Sequence, residues 1–171
     1  MWWFRAGPAA AILALAACGF TPVYGPGGVA EGLRGQIAVE PPRDPASYAL
    51  VRALEGRLGD GQAPLYALDA AVALDQEGLG VTPDQEITRI QVAGQLDYTL
   101  TDIETGALLD RGSVSSFTAY SAPVFSVDRN SIAGNSVTVR AAREDAVERL
   151  MVILADQLTS RLIATAPRWR Q

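Results

Sequence analysis

Apolar residues recur with a period of two in three long stretches of this chain and at helical spacing in two others. Between Leu65 and Gln76, Tyr66, Leu68, Ala70, Val72 and Leu74 fall on one side, while Asp69 and Asp75 fall on the other. Successive strand side chains point to opposite faces, so this spacing predicts a strand with one buried side. Ile87 to Asp102 repeats the pattern: Ile90, Val92, Leu96, Tyr98 and Leu100 share one face, and Arg89, Gln91, Gln95, Asp97, Thr99 and Thr101 share the other. Glu104-Thr105-Gly106 suits a hairpin turn. Leu108 to Tyr120 is a third long strand, with Val114, Thr118 and Tyr120 in phase. Gly112 and a serine run blur its pattern and point to a bulge there. A shorter strand is predicted at Gln36 to Glu40, with Ile37 and Val39 on one face and Pro41-Pro42 ending it.

Two segments carry the helical period. Asp44-Pro45 reads as an N-cap followed by proline at the first helical position. Tyr48, Val51, Leu54 and Leu58 then recur on one stripe, and Gly59 supplies a stop, which predicts a helix over 45–58. The longest helical segment is Val137 to Thr165. Val147, Leu150, Leu154, Leu158 and Leu162 form its stripe, widened by Met151 and Ile153, and Pro167 is expected to stop it. Gly78 to Asp84 and Ser121 to Asn135 read as irregular links, and residues 166–171 as a short mobile tail.

The resulting order is β-α-β-β-β-α without an internal repeat. Two amphipathic helices can cover one face of a four-stranded sheet, so the expected class is α+β: a two-layer sandwich. The last three strands form an antiparallel meander, and the first β-α-β unit allows a parallel pair, which makes the sheet mixed.

The N-terminus follows a different logic. Met1 to Pro8 carries one charge, at Arg5, and Ala9 to Ala17 carries no polar residue. A membrane span needs about 20 apolar residues, so this run is too short to cross a bilayer. A charged start, a short apolar core and small residues at a cleavage point describe a secretory signal. Leu15-Ala16-Ala17-Cys18 resembles the lipobox of bacterial lipoproteins, in which the thiol is acylated and the chain is cut before the cysteine. Cys18 is the single cysteine of the chain. Free cysteines often serve as small buried hydrophobes, but a lone thiol in an exported protein is a reactive liability. The expected division is therefore a signal peptide over 1–17, a lipidated glycine- and proline-rich tether over 18–35, a domain over 36–165 and the tail. Three acyl chains would hold this domain to a membrane far better than one.

Composition removes several classes of chemistry. The formal charge is −5, and loss of Arg5 with the signal makes it one unit more negative. That balance argues against non-specific nucleic-acid binding. There is no histidine, which removes the usual general base and the commonest zinc ligand. A Ser-His-Asp or Cys-His mechanism within this chain is excluded. Asp69 and Asp75 share a face but lie roughly 20 Å apart at ~3.3 Å per residue, so they are no catalytic pair. Gly25-Pro26-Gly27-Gly28 lacks the lysine and helix start of a phosphate loop. No catalytic residue, metal site or cofactor is expected. The polar outer row of Ile87 to Asp102 is either a solvated sheet face or a face packed against a polar partner wall, such as the lumen of a large β-barrel.

Cys18-Gly19-Phe20-Thr21-Pro22-Val23-Tyr24 resembles the mature start of alphaproteobacterial LPS-assembly lipoproteins of the LptE family, which commonly read C-G-F-x-P-L-Y. The last helix of that family carries D-A-x-x-R followed by L-A-x-Q-I/L-x-x-R-L. Asp145-Ala146-Val147-Glu148-Arg149 and Leu154 to Leu162 are similar to that frame. The element order is also that of the family, and the link before the last helix is longer here. The resemblance implies a non-enzymatic lipoprotein of the outer membrane, lipid-anchored and facing the periplasm. It implies an LptD-like β-barrel partner that the chain plugs and helps to assemble, and binding of lipopolysaccharide during its delivery to the outer leaflet. On that reading Arg89 and Arg111, near strand ends, are the candidate partners for lipid A phosphates. The competing expectations are a generic cell-envelope scaffold lipoprotein and, further off, a periplasmic lipoprotein hydrolase.

Overall fold

In the computed structural model, residues 25, 26, 28, 30–81, 87–121 and 132–170 are described. Residues 1–17, expected to form a signal peptide, Cys18, residues 82–86 and the stretch 122–131 lie outside the described residues. The elements are β1 (Ile37–Val39), α1 (Pro45–Leu58), β2 (Tyr66–Val81), β3 (Ile87–Asp102), β4 (Leu108–Ser121) and α2 (Ile132–Trp169). They form the expected α+β sandwich. One sheet runs in the order β1-β2-β3-β4, with β1 parallel to β2 and the other pairs antiparallel. Both helices lie on one face: α2 packs on β3 and β4, and α1 packs on α2, β1 and β2.

The first helix begins where the sequence places it. Asp44 has extended backbone, and its Oδ1 accepts hydrogen bonds from the Ala46 and Ser47 amides at 2.9 Å each. Ser47 Oγ accepts in return from the Asp44 amide at 2.9 Å, which closes a capping box. The hydrogen bond from the Ser47 amide, above all, holds the Asp44 carboxyl below its ordinary pKa. A carboxylate with a depressed folded pKa stabilises the fold above its unfolded pKa and loses that contribution as the pH falls through the folded value. Loss of the N-cap in Asp44→Ala should cost about 1 kcal/mol at neutral pH. The difference in melting temperature from the parent should shrink in acid, which thermal melts at pH 7 and pH 3 would check.

The core lies between the layers. Ile37, Leu68, Val92, Leu96 and Leu100 supply the sheet side, Leu50, Leu54 and Leu58 come from α1, and Leu150, Leu154, Leu158 and Leu162 come from α2. The alternation seen in β2 and β3 marks the correct buried faces. Gly94 lies in the buried row of β3. A Cβ there would meet Leu150 Cδ2 at 3.0 Å and Leu154 Cδ1 at 3.2 Å, so the missing side chain lets α2 approach the sheet. Ion pairs Arg52–Glu148 and Arg57–Asp156 join the solvent sides of the two helices.

Several expectations change. The buried stripe of α1 is Leu50, Leu54 and Leu58, whereas Tyr48 is 61% exposed. Gly78 to Val81 are strand rather than loop, with register shifts at Gly78/Gly80 and Gly80/Val81. The irregularity in β4 is not at Gly112. It lies at Leu109, where Leu100 faces Asp110 and Thr101 faces Leu108. The described end of the stretch read as a tether, 30–35, is turned rather than extended: Leu33 is 2% exposed within the core, and the Gly35 amide donates to Leu58 O at 2.6 Å. Gly59 makes this contact possible. Its φ is +88°, and a Cβ there would come within 2.8 Å of Gly35 N.

The C-terminus also departs from expectation. Pro167 lies inside α2, which continues to Trp169. Trp169 is 7% exposed and meets Tyr66 edge-on with centroids 5.1 Å apart. Arg170 Nη1 donates to Glu31 O at 2.7 Å. A proline near a helix end removes one late hydrogen bond, and burial of an indole outweighs that loss.

Candidate docking face

The sheet face opposite the helices carries the odd-numbered residues of β2 up to Glu77, of β3, and of β4 from Arg111 onward. No described element packs on it. Its floor is small: Ala71 and Ala73 from β2, Ala93 from β3, Ser113, Ser115 and Ala119 from β4. Gln91, Gln95, Asp97, Thr99 and Thr101 form the polar row expected of β3, and Gln95 Nε2 donates to Asp97 Oδ1 at 3.2 Å. Phe117 stands above this floor, 64% exposed. Beside it is a depression of about 660 Å³ lined by Ala73, Asp75, Gln91, Ala93, Gln95 and Phe117. One exposed aromatic is ordinary on a protein surface. A broad, flat floor of alanine and serine with an aromatic at its margin offers close backbone approach to a partner.

Arg89 and Arg111 both lie on this face, and both are exposed. They do not form one site. Arg89 is paired with Ser121 at one end of the β3–β4 ladder, and Arg111 is opposite Thr99 at the other. Ten residues of strand at ~3.3 Å each separate them by roughly 33 Å. Each guanidinium would meet a different ligand group or a different part of a large ligand.

A second concavity, of about 530 Å³, opens between the N-terminal end of α1 and α2. Ala46, Tyr48, Ala49, Leu74, Val147 and Arg143 line it. Tyr48 sits on its rim rather than in the core.

The polar cluster that sequence reasoning missed lies at the other end of α2. Arg161 Nε donates to the Tyr98 hydroxyl at 2.8 Å, and its guanidinium carbon lies 5.9 Å from the Tyr98 ring centroid. The Tyr98 hydroxyl donates to Asp110 Oδ2 at 3.3 Å. Thr165 Oγ1 donates to the same oxygen at 2.7 Å, and Trp169 Nε1 donates to Thr165 Oγ1 at 3.1 Å. Burial pushes the Tyr98 phenol above its ordinary pKa, opposed chiefly by the hydrogen bond from Arg161. A Cβ on Gly112 would meet Arg161 Nη2 at 2.9 Å, so the glycine makes room for the guanidinium. Gly112 was the signal in the sequence. A glycine within a strand marks either a bulge or a close approach, and here it is the approach. This cluster ties helix to sheet and is structural chemistry. Among the described residues no group of three or more potential metal ligands converges, and no helix is long and apolar enough to cross a membrane.

Comparison with known proteins bears on this architecture directly. No curated protein matches the chain. Among solved structures, a candidate lipoprotein from Caulobacter crescentus CB15 superposes with a TM-score of 0.62 at 20% identity, over 84% of this chain and 98% of that one. The rare lipoprotein B from Shewanella oneidensis superposes with a TM-score of 0.52 at 9% identity, over 80% of this chain and 98% of that one. At these identities the likeness is one of fold. The model of the LptE lipopolysaccharide-assembly family matches residues 35–162, from the start of β1 through most of α2. The chain belongs to the LptE family of lipopolysaccharide-assembly proteins.

Proposed function

We propose that this chain is an outer-membrane lipoprotein, anchored through Cys18, that plugs and helps to assemble an LptD-like β-barrel and binds lipopolysaccharide on its way to the outer leaflet. The observation that carries this reading is the open sheet face of a chain in a lipopolysaccharide-assembly family. A plug needs a surface flat enough to approach a wall and polar enough to suit a lumen lined with polar groups. The small, largely uncharged floor of this face has both properties. The role is non-enzymatic: the chain acts by position and by binding.

Arg89 and Arg111 are the residues proposed to meet lipid A phosphates. A guanidinium offers paired donors that match phosphate geometry. Because they stand at opposite ends of the face, their contributions should be separable. Loss of a charge-assisted contact costs about 1.5–3 kcal/mol, or roughly tenfold or more in affinity. Arg89→Glu with Arg111→Glu should weaken LPS binding by at least that factor and leave the melting temperature nearly unchanged, since both side chains are exposed. The single variants then say which end of the face meets the phosphates. The check is an LPS gel-shift with a pull-down of the barrel from the same preparation. Normal LPS binding by the folded double variant would exclude these two arginines. Capture of a different envelope protein in place of any barrel would favour the scaffold reading.

A further inference from the structure

The sheet has two edges, and the chain treats them differently. Along β2 the edge is guarded. β1 pairs with Tyr66 to Leu68, and Arg43 reaches Asp69 at 3.8 Å. Asp75 and Glu77 follow, and two register shifts break the strand between Gly78 and Val81. Short partners, charges and bulges are the usual ways of blocking an edge from pairing with another chain.

The edge along β4 has none of these over most of its length. Gly112 to Ser121 contains no charged residue and no proline. Its pairing with β3 is unbroken from Arg89–Ser121 to Leu100–Asp110. Among the described residues no backbone group hydrogen-bonds to the outer side of β4. A strand bonded on one side only presents every second amide and carbonyl outward. That row is a template for one more strand.

We propose that the outer edge of β4, over Gly112 to Ser121, accepts an extended strand from the partner by β-augmentation. The identification of that partner as the LptD-like barrel rests on the reading in the preceding section. The wall of a closed barrel has no free edge. The added strand must therefore come from a loop or terminal segment of the barrel protein, while the wall faces Phe117 and the alanine–serine floor beside it. A second copy of this chain fits less well. Two β4 edges paired about a two-fold axis make one continuous sheet, and both outer faces stay open to water. Such a contact is little more than the ladder, well below the ~1,600 Å² of a standard interface.

The test uses the full lipidated chain co-expressed with the barrel protein of the same genome. Of two adjacent strand residues one directs its amide outward and the other toward β3, so Ser115→Pro and Ser116→Pro separate edge from ladder. The variant with the outward position should keep the parental melting temperature, because proline is tolerated on the open side of an edge strand. That variant should recover at least tenfold less barrel. Hydrogen exchange provides the second measurement and needs no substitution. Alternate amides of Gly112 to Ser121 should exchange rapidly in the free chain and at least a hundredfold more slowly in the complex. A fold-preserving proline variant that recovers the barrel normally, with no new protection in β4, overturns the augmentation and leaves the plug reading standing. Failure of the parent chain to recover the barrel overturns both. A free chain that sediments as a dimer, lost in the edge variant, assigns the edge to a second copy and overturns the proposal.

Discussion

Leu154→Asp should abolish the cooperative melt of this domain. Leu154 is fully buried at mid-length of α2, and its Cδ1 lies 3.2 Å from the position a Cβ on Gly94 would occupy. Helix and sheet approach closely there and Leu154 is fully buried, so a carboxylate at this site has no water within reach. Leu→Ala at buried positions costs about 2–5 kcal/mol. Leaving a polar group unsatisfied adds about 1–3 kcal/mol, and more if it is charged. The total is comparable with the whole stability of a typical domain, about 5–15 kcal/mol. Circular dichroism should show a broad, low-temperature transition or none, while Leu154→Ala should still melt cooperatively at a reduced temperature. An unchanged melt for Leu154→Asp would mean that α2 does not pack on the sheet.

Cys18→Ala should leave the chain uncleaved or unlipidated, and so without its lipid anchor in the outer membrane. Cys18 is the sole thiol, so no second site can take the lipid. A single acyl chain binds membranes only marginally, whereas the multiple chains of a mature lipoprotein hold stably. Mass spectrometry of the parent should find an N-terminus at residue 18 carrying lipid. The variant should keep residues 1–17, lack the lipid mass and bring less barrel protein into the outer-membrane fraction. A parent chain that begins at Met1 in the membrane fraction would overturn the anchoring proposal.

The meander was legible because its two-residue period survives the tertiary context. Val92, Leu96, Tyr98 and Leu100 are buried as their alternation requires, and β3 ends where the pattern ends. The start of α1 was legible for a local reason: Asp44, Pro45 and Ser47 satisfy the first turn without help from elsewhere. The stripe of α1 was only half legible. Tyr48 and Leu50 are both apolar candidates, and the choice between them depends on where α2 lies. The candidate arginines were correctly read as lying near strand ends, but their separation follows from the β3–β4 register, which pairs Arg89 with Ser121 and Arg111 with Thr99.

The sequence by itself determined the elements, their order and the buried faces of the long strands, because period and capping are properties of neighbouring residues. Its family motifs also pointed to the family to which the chain belongs. Tertiary structure decided what no local pattern encodes. It brought Arg161 over Gly112, drew Trp169 onto Tyr66 beyond a proline that reads as a stop, and folded Leu33 into the core out of a glycine-rich stretch. In each case the partner lies far along the chain. The energy of the contact comes from desolvation and hydrogen bonding between segments, and it overrides what each segment would do alone.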